Sequence, residues 1–410
     1  MKEREGGRWK IALFGHFDST NLGNESTLMS ILHHIRCFQP DAEITCISTG
    51  HQTTASTHKI EAIPISEMFF KFWLPRRRLL RLARMACIGV PSEFYRWING
   101  FLALRHIDLF IIPGTGLLSD AYGLGSWGPY NMFKWSLLAK ICGCKLLFLS
   151  VGAGPLYTTL GRFFVKSALR LADFRSYRDG STIQYLKGIG FCSDNDRICP
   201  DLVFSFPEHF IPALPEKPNG RRVVALGVMI YTGKYSAAQP SVNIQQGYLD
   251  NLVSFVKWLL AHDYDVRLLI GDLVDLDATK EFRGLLRERL PGYDERRIIE
   301  EPISSVKTLL LQIAAADAVV ATRFHNILLA VLCNKPVIAI SFHHKCASLM
   351  IAMGLAEYCL DINAWKADTL IEKFCDLRAD AVNLEARLRK TAKEFRAELD
   401  EQYKIVFSEL

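Results

Sequence analysis

The feature that most constrains this chain is an alternation of buried strands and helices that occurs twice. Lys10–Gly15 (KIALFG), Glu43–Ser48, Asp108–Ile112 (DLFII), Lys145–Ser150 (KLLFLS) and Phe174–Tyr177 are short apolar runs that read as strands. Stretches with helical spacing separate them, at 25–36, 130–141 and 161–172. Strands apolar on both faces, alternating with helices, imply a parallel sheet covered on both sides. Phe206–Gly220 (FPEHFIPALPEKPNG) then interrupts the pattern with four prolines, the composition of an interdomain linker. Beyond it the alternation restarts, with strands at 222–227, 265–270, 297–299, 318–321 and 336–340 and helices around 249–261, 279–290 and 304–315. The expectation is an α/β chain of two doubly wound, Rossmann-like domains. The first spans 1–206 with a basic insertion at 66–105, a linker follows at 207–220, and the second spans 221–379 with a charged helical tail at 380–410. Ligands of such sheets bind beyond the carboxyl ends of the strands, so two sets of strand ends are expected to face a common cleft.

Composition narrows the function classes. With 410 residues, half of them hydrophobic, the chain can fill two cores and is not disordered. A net charge of +6 is mild for this length. It favours phosphates or lipid head groups as partners and argues against a dedicated nucleic-acid binder. Eleven cysteines show no framework spacing, and Cys142, Cys144, Cys333 and Cys359 lie in apolar runs, as buried reduced thiols do. The opening residues, MKEREGGRWK, lead straight into a strand without an apolar signal core. No run reaches the ~20 apolar residues of a membrane span. A cytoplasmic location is expected, peripheral at the inner face of a membrane if the basic insertion makes contact.

Three loops follow strands of the first half and carry glycine. The first runs from Gly15 through His16, Asp18, Asn21, Gly23 and Asn24 to Glu25, where Asn24 and Glu25 can cap the next helix. It is not a dinucleotide fingerprint, because GxGxxG is missing. The second is Gly114-Thr115-Gly116, leading to Asp120, and the third is Ser150-Val-Gly152-Ala-Gly154-Pro155. All three would line one rim. Arg178 ends a strand just before Asp179, a natural N-cap, and can take a carboxylate bidentately. In the second half, Thr322-Arg323-Phe324-His325 joins a buried strand directly to an apolar helix. A fixed cation, a titratable imidazole and the positive end of a helix then share one turn, which suits binding a phosphorylated anion and moving a proton. His343, His344 and Cys346 lack a fourth ligand at metal spacing, so no metal is expected; Lys345 reads instead as a second anion-binding charge.

Met68–Arg105 stands apart. Six Lys/Arg lie between Lys71 and Arg84 with no acidic residue among them, interleaved with Phe and Trp. Such a stretch, centred on 68–86, suits an anionic membrane surface or a lipid-linked substrate. It also suits a surface helix that snorkels its arginines.

The series NLGNESTL (21–28), GTGLLSD (114–120), SVGAGP (150–155), ADFRSYRD (172–179), CPDLVFSF (199–206) and ATRFHNILLAVLCNKPVIAIS (321–341), followed by Lys345, resembles the polysaccharide pyruvyl transferase family. The order and spacing correspond from about residue 10 to 362. The resemblance implies a GT-B-like fold and transfer of a pyruvyl group from phosphoenolpyruvate to two sugar hydroxyls as a cyclic ketal. Phosphoenolpyruvate would then be a co-substrate and no cofactor would be needed. Arg178, Arg323 and Lys345 are the candidates for its carboxylate and phosphate, and His325 for the general acid that protonates the enol methylene. Asn21, Gly23, Asn24, Glu25, Gly114, Thr115 and Gly116 are the candidates on the side of the saccharide acceptor, which can be lipid-linked. Two departures fall on that side: Asn24 stands where family loops often carry Asp, and Gly114-Thr115-Gly116 where many members have three glycines. Two other readings share the pattern. One is a nucleotide-sugar-dependent glycosyltransferase of GT-B type, although Glu300-Glu301 is a weak ribose-binding pair. The other is a non-catalytic, membrane-associated polysaccharide assembly factor.

Overall fold

The computed structural model describes residues 7–17, 21–66, 79–80, 84–114, 116–120, 128–192, 196–212, 220–231 and 242–409. These residues divide into two compact units, one of residues 1–18, 27–202 and 401–410, the other of residues 19–26 and 203–400.

The first unit holds a seven-stranded sheet. Its strands are β1 (Lys10–Gly15), β2 (Glu43–Ser48), β3 (Glu61–Pro64), β4 (Leu109–Pro113), β5 (Lys145–Val151), β6 (Phe174–Tyr177) and β7 (Arg197–Ile198). Their order is β3-β2-β1-β4-β5-β6-β7, and the paired strands run parallel. The second unit repeats the plan with β8 (Arg222–Gly227), β9 (Tyr264–Leu269), β10 (Ile298–Ile299), β11 (Ala318–Ala321), β12 (Val337–Ser341) and β13 (Cys359–Asp361). The order there is β10-β9-β8-β11-β12-β13. The order in which strands are added reverses once in each sheet, between β1 and β4 and between β8 and β11. Those are the two switch points at which doubly wound sheets receive ligands.

The two switch points share a small device. Asp108, just before β4, accepts the opening N–H of β1 from Lys10 at 2.9 Å. Asp317, just before β11, accepts an N–H at the start of β8, that of its second residue Val223, at 2.8 Å. Asp173 does the same for Leu146 of β5 at 2.7 Å. An unpaired strand-end N–H is costly, so an aspartate at this step fixes the register between neighbouring strands.

The helices are α1 (Leu22–Phe38), α2 (His51–His58), α3 (Val90–Leu104), α4 (Gly128–Ile141), α5 (Thr159–Leu171) and α6 (Gly180–Gly188) in the N-terminal half. The C-terminal half has α7 (Val242–Ala261), α8 (Leu276–Arg289), α9 (Val306–Ala314), α10 (Phe324–Leu332), α11 (His344–Ala352), α12 (Ala367–Ala379) and α13 (Ala381–Lys404). Several starts are written in the sequence. Thr158 caps α5, Asp179 caps α6, and Ser305 with Thr308 forms a capping box on α9.

The structure differs from the sequence reading at four short elements. The helix α2 and the strands β3, β7 and β13 carry too little periodicity to stand out, because β3 and β7 are edge strands with exposed or half-buried side chains. Of the basic stretch at 68–86, residues 68–78 and 81–83 lie outside the described residues. Its continuation is a π-helical turn, Met85–Gly89, that runs into α3. Among the described residues no helix is long and apolar enough to cross a membrane.

Candidate functional site

The second unit gathers most of the residues singled out above. β11 (AVVA) is fully buried and delivers Thr322 and Arg323 to the switch point. Arg323 is the N-cap of α10, with extended backbone, and His325 lies in the first turn. The seven residues of α10 after His325 are buried, so the helix is anchored by its apolar body and its start is held at the sheet edge.

The Arg323 guanidinium is clasped from one side. Its Nε donates to Asp275 Oδ2 at 2.7 Å and its Nη2 donates to Oδ1 at 2.6 Å, a bidentate pair on a carboxylate with no exposed surface. Asp275 also accepts the Ile230 N–H at 3.2 Å, which ties the pair to the end of β8. Such a fork fixes the plane of the guanidinium. Beneath it Tyr248 and Thr322 share a buried hydroxyl–hydroxyl bond of 2.9 Å, and burial pushes the Tyr248 hydroxyl up to about 12.

The loop 21–25 belongs to this unit as well. Asn21, not Asn24, is the cap of α1: its Oδ1 accepts the N–H groups of Gly23 and Asn24, each at 3.1 Å. That corrects the capping expected of Asn24 and Glu25, and the helix accordingly begins at Leu22. Asn21 Nδ2 donates to Asp272 Oδ2 at 2.9 Å, and Leu22 N donates to the Gly271 carbonyl at 3.3 Å. Gly23 meets His325 directly. A Cβ at Gly23 would stand 1.8 Å from His325 Nδ1, so the imidazole occupies the space that glycine leaves. Glu25 is nearly buried in the next half-turn. Burial holds the Asp272 carboxyl above the usual aspartate range, against its bonds from Val274 and Asn21 and the charge of Arg323.

Residues that the sequence reading passed over complete this edge. Gly227 ends β8, and Gly271, Asp272 and Asp275 follow β9. The Asn326 amide fills the space these glycines leave: a Cβ on Gly227 would lie 3.0 Å from its Nδ2, and one on Gly271 2.8 Å from its Oδ1. Asn326 is fully buried and neither amide atom has a hydrogen-bond partner among the described residues. The one legible signal was Gly271-Asp272 directly after a buried strand. Lys345 lies in the first turn of α11, capped by His343, whose Nδ1 accepts the Lys345 N–H at 3.2 Å. The neighbouring Cys346 thiol donates to the Thr322 carbonyl at 3.9 Å, so this turn adjoins the end of β11.

The first unit holds the remaining candidates. Arg178 follows β6, and its Nη1 meets Asp201 Oδ2 at 3.3 Å while its Nε meets Asp179 Oδ2 at 3.4 Å. Gly152 lies beneath it, since a Cβ there would be 2.3 Å from Nη2. Burial works to raise the Asp179 carboxyl, but the Arg178 charge and the bonds from Ser181 and Thr182 outweigh it and hold it below the usual range. Gly114 allows β4 to approach β5, where a Cβ would stand 2.7 Å from the Ser150 carbonyl. Gly116 is exposed, and Thr115 lies outside the described residues, as does Asp18. Asp120 organises the loop before α5, accepting the N–H groups of Tyr157 and Thr158 at 2.7 and 2.9 Å. Gln402 ties the third glycine loop from the C-terminal segment by bonding Ser150 and Ser176. Among the described residues no three His, Cys, Asp or Glu side chains converge as metal ligands.

The comparisons with known proteins agree with this plan. The family described as polysaccharide pyruvyl transferase matches residues 21–344. No curated protein matches the chain. Among solved structures, Anabaena Alr3699/HepE in complex with UDP and glucose is 14% identical, with 96% of this chain and 99% of that one covered at a TM-score of 0.57. A putative UDP-N-acetylglucosamine 2-epimerase from Listeria monocytogenes is 13% identical, with 98% of each chain covered at 0.62. The S. aureus MnaA–UDP structure is 11% identical, with 97% of this chain and 96% of that one covered at 0.60. At such identities the likeness concerns the fold, which is of the GT-B-like class.

Proposed function

The chain belongs to the polysaccharide pyruvyl transferase family, and from that premise we propose that it transfers a pyruvyl group from phosphoenolpyruvate to a saccharide as a ketal. The observation that carries the reading is the turn at the second unit's switch point. There Arg323, fixed by Asp275, and His325, packed on Gly23, share the N-terminus of α10. Anions favour that end of a helix, and an imidazole there can hold or release a proton near neutral pH.

In this reading His325 gives a proton to C3 of phosphoenolpyruvate, which becomes the methyl group, and positive charge develops at C2. One sugar hydroxyl adds to C2 and its proton restores His325. The C2–O bond to phosphorus is then lost as inorganic phosphate, which carries away the proton of the second hydroxyl as that oxygen adds. Arg323 and Lys345 hold the donor's anionic groups. Arg178 has the same proposed role and is tested by itself. Asn21, Gly23, Asn24 and Glu25, with Gly114, Thr115 and Gly116, are the proposed acceptor-side residues, and the acceptor is a polysaccharide unit or its lipid-linked precursor. The basic stretch 68–86 is proposed to bring the enzyme to a membrane surface.

A phosphate-release assay with phosphoenolpyruvate and a panel of acceptor glycans tests the chemistry. His325→Ala is expected to lower the rate by roughly 100- to 10,000-fold, the usual worth of a general acid, with unchanged thermal unfolding. A folded, fully active variant removes His325 from this role. The GT-B-like fold shared with UDP-bound enzymes favours one second reading, a nucleotide-sugar glycosyltransferase. Release of UDP from a UDP-sugar without consumption of phosphoenolpyruvate would establish it instead. Absence of phosphoenolpyruvate binding at millimolar concentration, with no turnover of either donor, would leave a non-catalytic assembly factor.

A further inference from the structure

Helix α3 is apolar on two sides. Its inner side packs on α4 through Trp97, Leu104 and Gly100, where a Cβ would meet Leu138 at 2.7 Å. An ion pair buried on one side anchors it further: Lys134 of α4, with no exposed surface, donates to Glu93 at 2.9 Å, and Tyr130 and Arg96 bond the same carboxylate. The outer side repeats at helical spacing with Phe94, Ile98, Phe101 and Leu102, which are 69%, 43%, 42% and 47% exposed. A helix that is apolar all round is ordinarily covered on all sides. Helix α5, on the same α4, also carries uncovered apolar groups: Leu160 and Phe163 are more than half exposed, and Phe163 is tilted against Phe133 of α4 at 6.4 Å.

Charge identifies the occupant. Across 84–106, α4 and α5 the only carboxylate is Glu93, and Lys134, Arg96 and Tyr130 already engage it. The cations there include Arg84, Arg105, Arg162 and Arg170, and Lys71–Arg84 adds its series just before the helix. Helices α8 and α12 of the other unit, by contrast, mix both signs. A two-fold contact through the α3 face would set its cations against their own copies. An anionic surface meets both the charge and the exposed aromatic groups.

We propose that the outer face of α3 and α5 is a docking surface for an anionic lipid bilayer, with Phe94, Ile98 and Phe101 entering the head-group region. The inference rests on the reading of the basic stretch as surface-binding, deepens it by adding the apolar contact, and is independent of the chemistry at His325.

The test is flotation of the full chain with phosphatidylglycerol–phosphatidylcholine vesicles and with phosphatidylcholine alone. The chain is expected to float with the anionic vesicles only. Phe94→Glu, at a side chain that is 69% exposed, is expected to lower binding by roughly tenfold to a hundredfold, the factor that burial of one phenyl group supplies. Thermal unfolding and phosphate release with a water-soluble acceptor should stay unchanged. Equal flotation of Phe94→Glu and the parent chain overturns the inference. If Arg76→Glu with Arg77→Glu and Arg78→Glu abolishes flotation while Phe94→Glu does not, the basic stretch binds and the apolar face does not, which also overturns it. No flotation of the parent chain overturns both readings. A dimer that Phe94→Glu dissociates, with vesicle binding intact, assigns the face to a second copy and overturns the proposal.

Discussion

Two strand ends, one in each unit, present an arginine to a helix start, and they hold it differently. Arg323 meets one fully buried carboxylate in two contacts of 2.6 and 2.7 Å, whereas Arg178 divides 3.3 and 3.4 Å contacts between Asp201 and Asp179. The first arrangement fixes a plane, as a bidentate fork does, and the second fixes only a place. Glycine serves both. Gly23 makes room for the imidazole beside Arg323, and Gly152 makes room for the guanidinium of Arg178 itself. The later motif is therefore rigid at its arginine, while the earlier one is looser at its own.

The contrast can be broken by substitution. Asp275→Ala should be the most damaging change, costing roughly 3 kcal/mol because it strands a clasped arginine beside the sheet. Denaturant unfolding reads that loss, and activity should fall with it. Gly23→Ala should follow. The new methyl group must displace His325, and a misplacement of about 1 Å costs on the order of 100-fold in rate, with a much smaller change in Tm. Parent activity in the Gly23→Ala variant would mean that the imidazole does not work from this position. Asp201→Asn should cost only about 1 kcal/mol, the scale of one lengthened hydrogen bond. Equal losses at Asp275 and Asp201 would abolish the distinction.

The smallest effect is a difference of sign in pH dependence. The Asp179 carboxyl is held below the usual range, so its contribution to stability is present above the ordinary aspartate pKa and is lost as pH falls through its own. The Asp272 carboxyl is held above that range by burial, so its contribution is present in acid and is lost as pH rises through its own. Asp272→Asn keeps an acceptor for Asn21 and removes a buried charge. Its Tm should exceed that of the parent at neutral pH and match it in acid, whereas Asp179→Asn should lose Tm at neutral pH.

Much of this architecture was legible from short runs. Buried strands such as KLLFLS and AVVA can only be central strands of covered sheets, and Asp179 reads as a cap because an aspartate before a helix accepts its open N–H groups. The half-exposed edge strands β3 and β7 gave no such pattern. Arg323 and His325 were legible because strand, cation, imidazole and helix start are contiguous. Their partners were not. Asp275 is 48 positions from Arg323 and Asp272 is 251 from Asn21, and no local pattern links residues so far apart. The Phe94 face was hidden for a related reason, since an apolar stripe reads as core until something is seen to leave it uncovered.

The sequence by itself determined two parallel-sheet domains, the family motifs and the charge of the insertion, because each is a property of contiguous residues. Tertiary structure decided which carboxylate holds Arg323, what occupies the space beside Gly23, that residues 21–26 join the second unit, and which side of α3 stays open. Those follow from side chains brought together through space, where burial, a missing Cβ and a shared proton act over distances that chain order does not record.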